Sequence, residues 1–105
     1  MAIKISSDLL DGCVLGLLDN EDYYGYEITK RVQKSISVSN STMYPVMRRL
    51  KKDGLVTTYD QPYKGRNRRY YKITDSGIEH LKQIRSDWNE FKTGINNLMG
   101  SEEIE

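Results

Sequence analysis

Residues 39–53, SNSTMYPVMRRLKKD, decide the fold. Met43, Val46, Met47 and Leu50 recur at helical spacing and make one buried stripe. Asn40, Ser41, Tyr44, Arg48 and Lys51 fall on the other side, so a line of polar groups looks outward. Ser39 and Ser41 suit a helix N-terminus, and Gly54 suits the left-handed turn past a C-terminus. Pro45 lacks an N–H and clashes with the preceding turn, so the regular helix can begin as late as Ser41 or Thr42. Alone, this stretch would fit an ordinary surface helix with a basic face. Its neighbours argue otherwise.

After Gly54 the period changes from helical to alternating. LVTTYD (55–60) and RRYYKIT (68–74) are rich in Val, Thr, Tyr and Ile, as strands are. Tyr70 and Tyr71 then point to opposite faces, so at most one is expected in the core. QPYKGRN lies between the strands, with Pro62 and Gly65 as turn residues and Lys64 and Arg66 at the tip. A basic tip serves no core, whereas phosphates or a minor groove would attract it.

Upstream, Ser6 or Ser7 can cap a first helix running to about Leu18, with Leu9, Leu10, Cys13, Val14, Leu17 and Leu18 on one apolar face. Leu15 widens that face and suggests a second contact with another subunit. A second helix is expected from near Tyr24 to near Ser35, burying Ile28, Val32 and Ile36. Gly25 would let a neighbouring helix approach, and Lys30, Arg31 and Lys34 make the far end basic. Two helices joined by SISVSN form a helix-turn-helix.

Downstream, Asp75 to Met99 restores the helical period. Ile78 and Leu81 reach toward the domain core, while Ile84, Trp88, Phe91, Ile95 and Leu98 form a helix-packing seam. At ~1.5 Å per residue this helix is roughly 35 Å long, too long for so small a domain to cover. An exposed seam of this kind is an aggregation hazard in a monomer, so a homodimer through it is expected. The fold class is therefore mostly α with a small β-hairpin (α+β). Residues 1–74 make a winged helix-turn-helix, 75–99 a long C-terminal dimerisation helix, and 100–105 a frayed tail.

The chain has 105 residues, a mass of 12.2 kDa and a formal charge of +1. That neutrality conceals segregation. Between Lys30 and Lys72 twelve basic residues face two acids, a local balance of +10, and the rest of the chain carries −9. A concentrated positive middle implies a polyanionic partner. No apolar stretch has membrane-spanning length and no signal-peptide pattern opens the chain, so a cytoplasmic protein without membrane contact is expected. Cys13 is the only cysteine and His80 the only histidine. With no metal-ligand cluster, phosphate-binding loop or implied cofactor, an enzyme is not expected.

YGYEI (24–28), TMYPVMRRLKKDGLV (42–56) and GRNRRYYKITDSG (65–77) together resemble the PadR family of bacterial transcriptional regulators. The single long last helix resembles the family's short subfamily, which includes a multidrug-responsive repressor. The resemblance implies a dimeric winged helix on pseudo-palindromic double-stranded operator DNA. Asn40, Ser41, Thr42, Tyr44 and Arg48 would lie in or beside the major groove, and Lys64, Arg66 and Arg68 would be wing contacts. Lys30, Lys34 and Lys51 join Lys64 and Arg66 as phosphate contacts, with Tyr63 a further candidate for touching DNA. In the short subfamily a tryptophan on the last helix sandwiches planar aromatic compounds at the dimer axis, and Trp88 takes that place here. Phe91, Leu9 and Val14 would complete the slot, with Asp11, Asp87 or Glu90 to attract a cation. The alternative is a winged helix used as a protein-interaction module without specific DNA binding. Such a module seldom needs so concentrated a positive charge.

Overall fold

Seven elements follow one another as α1 (Ser7–Leu18), β1 (Tyr23–Tyr24), α2 (Gly25–Ser35), α3 (Asn40–Lys52), β2 (Val56–Tyr63), β3 (Arg66–Ile73) and α4 (Asp75–Met99), in a computed structural model describing residues 3–100. Residues 101–105 of the expected tail lie outside the described residues.

The first three helices wrap one apolar cluster. α1 contributes Leu10, Val14, Leu15 and Leu18, α2 contributes Ile28 and Val32, and α3 contributes the expected stripe Met43, Val46, Met47 and Leu50. Val56 and Leu81 close it from the sheet and from α4. Each such side chain contributes ~1.5–3 kcal/mol on burial. Leu15 is 0 % exposed, covered by its own chain and not by a second subunit. Gly25 meets the Tyr71 ring, where a Cβ would stand 3.4 Å away, so its close neighbour is the sheet and not a helix.

Ser39 starts α3, its Oγ accepting from the Thr42 N–H at 3.1 Å. The helix thus begins at Asn40, on the Ser39 cap, and Pro45 stands inside it without forcing the later start at Ser41 or Thr42. Pro45 is tolerated there because the one bond it removes is to the carbonyl of Ser41, an exposed residue in the first turn. At the other end the Leu55 N–H donates to Leu50 O (3.0 Å) and the Gly54 N–H to Lys51 O (3.1 Å). With Gly54 at φ 76°, this is a Schellman termination.

The sheet has three antiparallel strands in the order β1-β3-β2, one more than the hairpin expected. Tyr23 pairs with Tyr71 and Tyr24 with Tyr70. The hairpin is also longer than expected. Strands persist to Tyr63 and Arg66, and only Lys64 (φ 52°) and Gly65 (φ 81°) form the turn. Two consecutive positive φ values are what a type I′ connection requires. Pro62 is therefore a strand residue opposite Asn67, permitted because β2 is an edge strand that need not donate from every position.

Thr74 caps α4, accepting from the Gly77 N–H at 3.0 Å, donating its hydroxyl to Gly54 O at 2.7 Å, and giving its backbone N–H to Leu55 O at 3.1 Å. These bonds tie the start of α4 to the base of the wing. Farther along, Ile84 lies so near α1 that a Cβ on Gly12 would stand 2.7 Å from its Cγ2. Ile84, expected in the dimer seam, is half-buried against its own core, because the small Gly12 lets the two helices close on one another. Beyond it the helix leaves the globule, and the molecule as a whole is drawn out to 54 × 28 × 24 Å. Trp88 is 41 %, Phe91 60 % and Leu98 86 % exposed there, and Ile95 is half-buried. No helix among the described residues is long and apolar enough to cross a membrane.

Candidate nucleic-acid interface

The inward stripe of α3 fixes its rotation, so Asn40, Ser41, Tyr44, Arg48 and Lys51 are all exposed in one line. Thr42 is exposed too, but its hydroxyl lies 3.0 Å from Ser39 Oγ, which also meets Ser41 Oγ at 2.9 Å. These hydroxyls form a polar knot at the helix start. Asn40 beside them is held from α2: Gln33 Nε2 donates to its Oδ1 at 2.9 Å and to the Val38 carbonyl at 3.1 Å. A shallow depression bounded by Pro45, Arg48, Arg49, Lys51 and Lys52 adds a basic seat along α3.

The wing brings Lys64, Arg66 and Arg68 together with Tyr24, Tyr63 and Asn67 around a second depression. Lys64 and Arg66 are exposed at the tip. Arg68 is half-buried, its guanidinium 3.5 Å from the Tyr63 ring centroid and 4.0 Å from that of Tyr24. Cation–π contact on two rings fixes the plane of that cation while its edge can still donate. On α2, Lys34 is exposed and Lys30 Nζ lies 5.3 Å from the Tyr26 ring. Tyr24, Tyr70 and Tyr59 continue across the outer face, centroids 5.9 and 5.6 Å apart. Tyr71, on the other side, packs on the core. The Tyr59 phenol donates to Asp22 Oδ2 at 2.6 Å, a bond that pushes its pKa up to about 12.

Behind α3 an ion pair joins the interface to α1. Arg49 Nη2 donates to Asp11 Oδ1, and Asp11 is only 6 % exposed. Burial raises the Asp11 carboxyl above its ordinary range, and the Arg49 charge opposes that rise. Arg49→Ala should therefore cost roughly 2–3 kcal/mol at neutral pH, by leaving a buried carboxylate without its partner. The sign follows from linkage. The folded pKa is raised, so the penalty is absent below the unfolded pKa and grows as pH rises through the folded value. Urea melts of Arg49→Ala should show the deficit shrinking as the pH falls to the ordinary carboxylate range. An equal deficit at both pH values would mean that Asp11 is not left charged.

Two residues expected in the ligand slot are elsewhere. Val14 is 0 % exposed inside the protomer core, and Asp11 is engaged by Arg49, so neither is free to meet a ligand. The core needs the one for packing and Arg49 needs the other for charge balance. Leu9 is half-buried, while Trp88 and Phe91 are exposed with centroids 6.4 Å apart. Among the residues that sequence reasoning missed, Gln33, Arg49 and Tyr24 act across gaps in the chain that no local pattern encodes.

The sequence profile of the transcriptional regulator PadR-like family matches residues 14–83. An uncharacterised protein of Lysinibacillus sphaericus is 35 % identical over 95 residues, covering 86 % of this chain and 87 % of that protein. Among solved structures, smu.1704 of Streptococcus mutans superposes with a TM-score of 0.88 at 32 % identity, covering 100 % of this chain and 99 % of the other. A PadR-like transcriptional regulator of Bacillus cereus gives 0.79 at 34 % identity, over 90 % and 94 % of the two chains.

Proposed function

The chain belongs to the PadR-like family of DNA-binding transcriptional regulators, and on that premise we propose that it is a repressor acting as a homodimer. It is a regulator and not an enzyme. The outward line Asn40, Ser41, Tyr44, Arg48 and Lys51 supports this reading, because it is an exposed, basic and hydrogen-bonding face on a helix that a rigid core presents. Two copies of α3 would enter successive major grooves about 34 Å apart. Asn40, Ser41, Tyr44 and Arg48 read bases, with Thr42 beside them. Lys30, Lys34, Lys51, Lys64 and Arg66 hold phosphates, and Arg68 joins the wing contact with its plane fixed in advance. Residues 1–74 supply this DNA-binding unit, completed by the first turns of α4, and the rest of α4 supplies the partner. Ile84, Trp88, Phe91, Ile95 and Leu98 form the dimer seam. A flat apolar ligand on Trp88 and Phe91, near Leu9, would release DNA if it fits one dimer geometry better than the DNA-bound one.

The test is a gel shift on DNA from immediately upstream of the protein's own gene, with excess random competitor at physiological salt. Non-specific complexes sit only at about 10⁻⁴–10⁻⁶ M there. A discrete shift that survives competition is expected. If it does not appear, selection from a random DNA pool follows, and a pool that enriches nothing overturns the repressor reading in favour of another partner for the basic face.

Two substitutions separate base reading from anchoring. Arg48→Ala should flatten the preference among sequences, since an Arg–guanine contact discriminates by ~1–3 kcal/mol. Lys64→Ala should weaken all DNA about equally. Competition titrations with operator and scrambled duplexes measure both, and an intact preference in Arg48→Ala would mean that the facing of α3 is wrong.

A further inference from the structure

We infer that Gln33 determines part of the base specificity, by turning Asn40 so that it offers DNA a donor. The inference rests on the reading above that Asn40 meets base edges. Gln33 lies in the last turn of α2, Val38 in the connection, and Asn40 is the first residue of α3. A primary amide has a donating end and an accepting end. The backbone carbonyl of Val38 can only accept, so the Gln33 atom 3.1 Å from it must be Nε2. The same nitrogen lies 2.9 Å from Asn40, so Asn40 must turn its Oδ1 toward Gln33. Both Nε2 hydrogens are then used, and the Asn40 Nδ2 is left on the side away from Gln33. Asn40 itself is exposed.

An unrestrained asparagine favours adenine, because it accepts from N6 while donating to N7. With Oδ1 turned toward Gln33, Asn40 presents its Nδ2 donor first. Its partners are the acceptors of guanine (O6, N7), thymine (O4) and adenine (N7), and it discriminates against cytosine, which offers only its N4 amino group. A residue on α2 that touches no base thus disfavours cytosine at one position of each half-site.

Selection of binding sites from a random DNA pool tests this with four proteins: the parent, Gln33→Glu, Gln33→Met and Asn40→Ala. The parent should deplete cytosine at one symmetry-related position, by roughly fivefold for a single hydrogen bond. Gln33→Glu can only accept when ionised, so it should hold Nδ2, turn Oδ1 outward and move that position to adenine or cytosine. Gln33→Met makes no polar contact and should return the position to the adenine preference of an unrestrained asparagine. Asn40→Ala should lose preference there and nowhere else. Cooperative melting and an unchanged salt dependence on random DNA verify that each variant is folded, and Gln33→Met carries the test should Gln33→Glu fail to fold. If both Gln33 variants keep the parent's pattern of preference at that position while Asn40→Ala loses it, the inference is overturned and Gln33 only staples the turn. If Asn40→Ala keeps every preference, Asn40 does not read bases, and the placement beneath the inference is what fails.

Discussion

Raising the salt from about 50 to 200 mM should weaken operator binding by roughly 10⁵-fold. Five basic side chains per protomer are proposed phosphate contacts, so a dimer would neutralise about ten phosphates and release their counterions, giving a log–log slope near −9. Lys64→Ala in both protomers should reduce that slope by about 2, leaving sequence preference intact. The effect should survive exchange of operator for random duplex, because phosphates carry no sequence. Fluorescence anisotropy over a salt series measures the slope. A value near −3 would mean that the wing or the end of α2 stands away from the backbone.

Gly77→Ala should lower the melting temperature by roughly 12–24 °C, the shift expected for about 3 kcal/mol in a domain of this size. A Cβ at this position would stand 2.1 Å from the Leu55 carbonyl oxygen and 2.7 Å from Ile73 Cγ1. The first of these is backbone, locked between the end of α3 and the start of α4 by the Thr74 N–H, so it cannot swing aside as a long side chain would. Relief requires moving α4 or the base of the wing, and both carry core residues. Differential scanning calorimetry decides the matter. A shift of only a few degrees would mean that the α4 start is softer than its bonds to Gly54 and Leu55 imply.

Much of this architecture was legible in the order of the residues. The stripe Met43, Val46, Met47 and Leu50 fixes both the existence and the rotation of α3, since one helical period leaves only one buried side. Gly54 marks its end for a steric reason, and the alternation around Tyr70 and Tyr71 marks the wing. What escaped reading is non-local. Tyr23–Tyr24 is too short to show a period and is a strand only because β3 pairs with it. Pro62 suggests a turn until β2 is known to be an edge. The Gln33–Asn40 bond crosses a connection, and Asp11–Arg49 spans 38 positions. Val14 and Leu15 looked available to partners because periodicity reports an apolar face without saying which neighbour covers it.

The packing of Leu15, Leu81 and Ile84 within one chain has a kinetic corollary. The core is complete within one chain, so a monomer can fold before the outer half of α4 meets a partner. In the homodimer proposed above, folding would then run at a rate independent of concentration, and assembly would be bimolecular and would slow as the protein is diluted.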